Sequence, residues 1–373
     1  MSTPPATHGG NLTLLARRSG LNETDILDFS ANLNPLGPPA WLAEEIAASV
    51  PELSRYPDPE AARLREAAAA HWGVPIASVV CSNGSDELFR ILPRALGARS
   101  VVVPVPSYSA YASSPLPTTT IPLEVENGFQ VDFDRLDKAL KTAGPESLLS
   151  LGAPNNPTGL LPDTESIKNL ALHHPASWVC VDEAFMDFID PQSTLARNGP
   201  PNLITLRSLT KFWAVPGLRI GLALCAPEIR DRIRACLSDW PVNTLAEAVG
   251  ARALGDKAYI QRSIAECTRL RADLLGRLAS VDGIYPIPGA VANFLTVRLK
   301  SSSIDSASSF NSTKVENAML KKGIAVRDCA SFTGLSTNGE CRYIRVAVRT
   351  ETENERLVSA LGQVLDQLAG AKG

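Results

Sequence analysis

LITLRSLTKFWAVPGLRIGLAL, residues 203–224, holds two apolar runs separated by a polar, aromatic and turn-rich break. The first run ends in Arg207-Ser208-Leu209-Thr210-Lys211, Phe212-Trp213 follows, Pro216-Gly217 breaks the chain, and Arg219 precedes the second run. A lysine between hydroxyls and aromatics at the mouth of two strand-like segments is where a buried amine can hold a carbonyl cofactor as an imine. Taken alone, Lys211 has the plain alternative of a solvated surface charge, so its reading depends on the rest of the chain.

Outward from this stretch, strand-like and helix-like segments alternate. SVVCSN (78–83), SVVVP (100–104), SLLSLGAP (147–154), SWVCVDEAF (177–185) and NLITLRS (202–208) have the near-continuous apolar character of buried strands. This predicts an α/β fold with a mostly parallel sheet and helices on both faces, and such sheets bind ligands at the carboxyl ends of their strands. Helical text from 227 to about 280 leads into a second alternating region, read as a smaller α+β domain. The expected division is an N-terminal arm over 1–44 joining the small domain, a large domain over 45–260 and a small domain over 261–373.

The chain of 373 residues is 45% hydrophobic and 20% charged, with a formal net charge of -3, and no basic run suggests nucleic acid as a partner. The N-terminus lacks the pattern of a signal peptide, and no apolar stretch is long enough to span a bilayer. A cytoplasmic protein is expected. Seven dispersed cysteines without a CxxC pair, and four histidines without ligand-like spacing, predict reduced core thiols and no metal site.

A pyridine-aldehyde phosphate cofactor needs an amine, a carboxylate for its ring nitrogen, a donor for its ring hydroxyl, a flat partner and a phosphate cradle. The strand ends offer candidates for each: Lys211, then Asp182 closing WVCV, Asn156 in NNPTG and Tyr108. For the phosphate there are Gly84, Ser85 and Asp86 at the opening of a helix, with Ser208 and Arg219 beside the lysine. Each also has a structural reading, as an N-cap, a turn or a strand end. Their order and spacing together carry the argument.

RYPDP (55–59), NGSDE (83–87), PNNPTG (154–159), VDEAF (181–185), SLTK (208–211) and GLRIG (217–221) resemble the signatures of fold-type I pyridoxal-phosphate enzymes of the class I/II aminotransferase superfamily, over nearly the whole chain. The resemblance implies pyridoxal 5'-phosphate as cofactor, Lys211 as its imine-forming lysine, Asp182 at the pyridine nitrogen, Asn156 at the ring oxygen and Tyr108 on the ring face. It implies Gly84, Ser85, Asp86, Ser208 and Arg219 at the phosphate. It also implies a homodimer in which Tyr56 reaches the neighbouring subunit's cofactor.

Within the superfamily, HGGN (8–11), DFSANLNPLG (28–37), DEAFMDF (182–188), RDCASFTGL (327–335) and RYIRVAVRT (342–350) resemble the threonine-phosphate decarboxylases of cobalamin biosynthesis more than the histidinol-phosphate aminotransferases. Phe185 stands where those aminotransferases usually carry tyrosine, and Arg349 where they usually carry glycine. The resemblance implies a phosphorylated small amino acid as substrate, with Arg345 on its carboxylate, Arg327 on its phosphate, and His8 and Asn32 closing from the arm. The expected reaction is decarboxylation of L-threonine O-3-phosphate. The alternatives are a histidinol-phosphate-type transamination with 2-oxoglutarate and a non-enzymatic sensor module. Sensors of that kind come fused to a DNA-binding domain, for which the short arm leaves no room.

Overall fold

Six largely apolar runs and the threonine-rich edge strand Thr118–Pro122 assemble into one sheet, in the order 79–82, 221–224, 203–208, 178–182, 147–152, 100–105, 118–122. In the computed structural model, which describes residues 9–300, 311–337 and 339–370, only Gly221–Leu224 runs antiparallel to its neighbours. Four of these strands, Val79–Ser82, Ser147–Gly152, Leu203–Ser208 and Gly221–Leu224, are buried at every position. A strand covered on both faces has no use for polar alternation, which is why the sequence reads as continuous apolar runs.

The chain divides into two compact units, Leu36–Asn156 with Leu160–Ala265, and Met1–Pro35 with Pro157–Gly159 and Glu266–Gly373. Residues 1–44 are therefore shared: the part through Pro35 clusters with the C-terminal residues, and Leu42–Ser49 is a helix of the larger unit. In the larger unit, Leu88, Phe89, Leu92 and Leu96 of the helix Ser85–Leu96 pack on Val80, Val101, Val103 and Ile204 of the sheet. Leu136, Leu140, Ile167 and Leu170, from two further helices, form a second layer with Leu149, Leu151 and Val179.

The smaller unit contains a four-stranded antiparallel sheet, ordered 327–328, 343–347, 294–299, 284–286. GIAVRD does not form one continuous strand. It is interrupted at Val326, so that Ile324–Ala325 pairs in parallel with Leu27–Asp28 and Arg327–Asp328 pairs antiparallel with Tyr343–Ala347. Phe29 bridges both neighbours, its N–H donating to Ala325 O and its carbonyl accepting from Ala347 N, each at 2.8 Å. Its fully buried ring joins a core with Leu274, Leu278, Leu295, Val346 and Leu361.

A cluster of opposite charges lies buried inside the larger unit. Arg207 is fully buried, with Nη1 3.3 Å from Glu183 Oε2 and Nη2 3.1 Å from Asp187 Oδ1. Nη2 also donates to Pro191 O at 3.0 Å, and the guanidinium lies over the Trp72 ring at 4.8 Å. Glu183 is completed by Thr194 Oγ1 and Leu195 N, both at 2.8 Å. Removing one partner of such a cluster strands charge in an apolar interior, so Arg207→Met is expected to lower the unfolding free energy by roughly 3–5 kcal/mol. Burial already holds the Glu183 and Asp187 carboxyls above the usual range, and loss of the cation raises them further. The folded variant then binds protons that the unfolded chain does not, so its deficit shrinks on acidification and grows as pH rises through the folded pKa values. Denaturant unfolding across pH checks this; a deficit independent of pH contradicts it.

Candidate functional site

Because Gly221–Leu224 is antiparallel, its first residue lies at the same sheet edge as Ser82, Val105, Gly152, Asp182 and Ser208, the last residues of the others. The loops leaving that edge carry Gly84 to Asp86, Tyr108, Asn156, Lys211 and Arg219. The topology thus gathers at one edge residues scattered over more than a hundred positions of sequence.

Asp182 is buried and engaged on both oxygens: Oδ2 accepts from Tyr111 Oη at 2.8 Å and Oδ1 from Ala184 N at 3.0 Å. Burial pushes its carboxyl up, while these hydrogen bonds and the charge of Lys211 pull it back. Tyr111 is buried with its ring 4.8 Å from Phe89 and 5.7 Å from Tyr108. Its hydroxyl reaches Asp182 across Gly152, where a Cβ would stand 3.0 Å from the Tyr111 oxygen.

Lys211 closes a four-residue helical turn, Leu209–Phe212, held from behind by aromatic packing. Phe212 meets Phe188 edge-on at 5.1 Å, and Trp213 stacks on Tyr259 at 4.9 Å. Nζ of Lys211 donates to Thr210 Oγ1 at 2.9 Å, and Thr210 Oγ1 lies 2.8 Å from Ser208 Oγ. Lys211, Thr210 and Ser208 therefore form one hydrogen-bonded row.

The helix Ser85–Leu96 begins after Gly84 with no side chain capping its first turn among the described residues. Its leading N–H groups and the positive end of its dipole favour an anion. The Arg219 guanidinium lies over the same point, since a Cβ on Gly84 would stand 2.4 Å from Nη2. Arg219 itself has φ 58°, a left-handed conformation uncommon outside glycine. The Asp86 carboxylate is taken by Tyr108 Oη at 3.0 Å and Arg90 Nε at 2.9 Å, so what Asp86 offers an anion is its backbone N–H.

In the smaller unit, Arg327 and Arg345 stand directly opposite each other in register and both are buried. Arg327 Nη2 donates to Ser331 Oγ at 2.6 Å and Arg345 Nη2 to Ser30 O at 2.9 Å. Burial holds both guanidiniums below the usual arginine range, Arg345 to about 10, with Arg327 contributing by repulsion. Asn32 is also buried, and its Oδ1 has no hydrogen-bond partner among the described residues. His8 lies outside the described residues. Tyr56 stands apart from the cluster, 79% exposed and stacked on Trp240 at 4.4 Å. Among the described residues no group of His, Cys, Asp or Glu could hold a metal ion, and no helix is long and apolar enough to cross a membrane.

Sequence reasoning passes over Tyr111 and Thr210. Tyr111 repeats the aromatic character of Tyr108 three positions on, a spacing that puts both on one side of the Ser109–Ala112 turn. Thr210 is visible only as part of a hydroxyl-rich box.

Residues 24–361 match the family described as aminotransferase class I and II. The adenosylcobalamin biosynthesis bifunctional protein CobDQ of Leptospira interrogans is 33% identical over 96% of this chain, which spans 41% of that protein's length. The threonine-phosphate decarboxylase of Salmonella typhimurium is 32% identical, with 98% of each chain covered. Among solved structures, the histidinol-phosphate aminotransferase of Clostridium acetobutylicum superposes with a TM-score of 0.81 at 26% identity, covering 92% of this chain and all of that one. The parallel-sheet architecture with its strand-end cluster, and the match along most of the sequence, place this chain in the class I and II aminotransferase family, whose cofactor is pyridoxal 5'-phosphate.

Proposed function

We propose that this protein decarboxylates L-threonine O-3-phosphate to (R)-1-amino-2-propanol O-2-phosphate in cobalamin biosynthesis, as a cytoplasmic homodimer. The observation that carries the proposal is the facing pair of buried arginines, Arg327 and Arg345. Two desolvated cations opposite each other repel, and a substrate with two anionic groups relieves that repulsion better than one with a single anion. Similarity along full length to a threonine-phosphate decarboxylase supports the same choice.

When bound, pyridoxal 5'-phosphate supplies an aldehyde that exchanges amines and an electron-poor ring that accepts the electron pair released from a Cα bond. The residues present suit it. Asp182 is a buried carboxylate for the ring nitrogen, and the turn at Gly84 with Arg219 and Ser208 is an anion cradle. Asn156 is assigned to the ring oxygen and Tyr108 to the ring face. Lys211 Nζ would hold the cofactor's aldehyde and, as a free amine, would be the proton donor to the substrate's Cα. Arg345 takes the carboxylate and Arg327 the phosphate, with Asn32 and His8 as further phosphate ligands and Tyr56 acting across the dimer. The larger unit is assigned to the cofactor, and the arm with the C-terminal residues to the substrate. Phe185 adds no hydroxyl to the ring oxygen, which separates this chain from the tyrosine-bearing aminotransferases.

Carbon dioxide release from phosphothreonine without 2-oxoglutarate is the expected outcome; strict dependence on that acceptor, or turnover only of histidinol phosphate, contradicts decarboxylation. Lys211→Ala should abolish the cofactor's visible imine band and reduce turnover by roughly a thousandfold or more. A wild-type protein that never acquires the band favours a sensor over an enzyme.

Tyr111→Phe removes a hydrogen bond that stabilises the ionised form of Asp182. The Asp182 carboxyl already sits above the usual aspartate range, and the variant raises it further. Cofactor affinity that depends on the carboxylate is present above the folded pKa and lost as pH falls through it. Titrating the apoprotein with pyridoxal phosphate should therefore show this acid limb displaced to higher pH in Tyr111→Phe, and an unmoved limb argues against the assignment of Asp182.

A further inference from the structure

Ser30, within the arm, touches the arm's Gly9-Gly10 segment and Arg345 at once. Its carbonyl accepts from Arg345 Nη2 at 2.9 Å, and its hydroxyl accepts from Gly10 N at 2.9 Å while donating to Asp28 Oδ1 at 2.6 Å. The segment is anchored on either side, because Phe29 bonds Ala325 and Ala347 through its backbone and Ser30 N donates to Asp28 Oδ1 at 2.7 Å. Ser30 is buried, so neither of its polar groups is generally open to water.

The arm meets this fixed point with two glycines. A Cβ on Gly9 would lie 2.1 Å from Ser30 O and 2.7 Å from its carbonyl carbon, closer than backbone atoms can give. Gly10 has φ +84°, and its Cβ would meet that of Ala31 at 3.3 Å. The chain at Gly9-Gly10 can lie against Ser30 only without side chains, and the carbonyl face it covers is the one that holds Arg345.

We infer that Ser30 is a positioning residue through which the seating of Gly9-Gly10 sets the carboxylate affinity of Arg345. With Gly9-Gly10 seated, water is kept from Ser30 O, and that carbonyl directs Nη2 of Arg345 while the Phe294 ring lies against the guanidinium at 5.2 Å. With Gly9-Gly10 lifted, water competes for that carbonyl, the guanidinium stays on the Phe294 ring but its Nη2 is less firmly directed, and bidentate pairing with a carboxylate weakens. The inference rests on the assignment of Arg345 to a substrate carboxylate under the proposed function.

The test uses holoenzyme and phosphoglycolate, which carries a carboxylate and a phosphate but no amine and so binds without reacting. Gly9→Ala should weaken phosphoglycolate binding by at least about tenfold, the scale of one hydrogen bond to a charged group. It should raise KM for phosphothreonine more than it lowers kcat, with cofactor affinity and absorbance unchanged. Hydrogen exchange of the Gly10 amide should accelerate in the same variant. Ser30→Ala, which keeps the carbonyl and loses the hydroxyl, should give a smaller loss, and Gly276→Ala, with open space around it, should give none. Rapid Gly10 exchange with unaltered phosphoglycolate affinity overturns the coupling, as does a Gly9→Ala protein whose Gly10 amide stays protected. Wild-type enzyme that binds phosphoglycolate yet releases no carbon dioxide from phosphothreonine defeats the decarboxylase proposal and leaves this one standing. Wild-type enzyme that fails to bind phosphoglycolate overturns this one.

Discussion

The buried ion pair between Arg207 and Glu183 is the constraint on which the candidate cofactor site depends. It joins two neighbouring parallel strands, with Glu183 just past the end of Trp178–Asp182 and Arg207 one residue before the end of Leu203–Ser208. Glu183 N also donates to Leu206 O there, at 2.8 Å. Asp182 immediately precedes Glu183, and Lys211 follows Arg207 by four residues. Desolvating three charges is expensive, and an apolar substitute of the same volume is often as stable. What an apolar contact does not supply is direction: a guanidinium shared between Glu183, Asp187 and the Pro191 carbonyl admits few arrangements of the strand ends. We read the cluster as conformational specification of the edge that carries Asp182 and Lys211.

The edge then works by separating two electrostatic tasks. Around Asp182 the environment is apolar and aromatic, so a carboxylate there is costly and gains from any cation placed against it, including Lys211. Around Gly84 the opposite holds: amide N–H groups, a helix dipole and the Arg219 guanidinium come together, while the Asp86 carboxylate is paired with Arg90 and hydrogen-bonded by Tyr108, and that of Glu87 accepts from Asn83 N at 2.8 Å. A ligand with a cationic ring nitrogen and an anionic tail satisfies both regions. A ligand with only one of these features leaves the other region unpaired.

The parts of this arrangement that follow from local sequence are legible in it, and those that arise from tertiary contact are not. Strand ends announce themselves by the stop of an apolar run, so the sequence alone places Asp182, Ser208 and the loops to Lys211 and Asn156. The hydrogen bond from Tyr111 to Asp182 cannot be read that way, because it depends on the absent side chain of Gly152 on a third strand. In the sequence Arg207 looks like ordinary polar punctuation, and its burial is decided by Trp72, Asp187 and Pro191 arriving from other segments. Asp86 belongs to the anion cradle only through its backbone, since Arg90 has claimed the carboxylate. The apolar residues 323–326 give no local sign of the break at Val326 that divides the pairing of this segment between Leu27–Asp28 and Tyr343–Ala347.

That interruption has a consequence for reaction choice. On the proposed assignment, transamination and decarboxylation place the same demands on Lys211 and Asp182, and differ in which Cα bond is held perpendicular to the cofactor ring. Bond choice therefore falls to the groups that hold the substrate's anions. Arg327 and Arg345 stand opposite each other on adjacent strands, so on the proposed assignment the sheet brings the bases of the two anion-holding side chains together. Phosphothreonine joins its carboxylate and phosphate through two carbons, and the proposed assignment holds both ends of that flexible link. With both ends held, rotation about the bond to Cα is restricted, and the carboxylate stays in one orientation. A substrate with a single anion keeps that rotation, and nothing in the arginine pair would then select the carboxylate bond over the hydrogen. The two-arginine strand pairing is thus the feature that links the sequence of the smaller unit to the chemistry proposed for the chain.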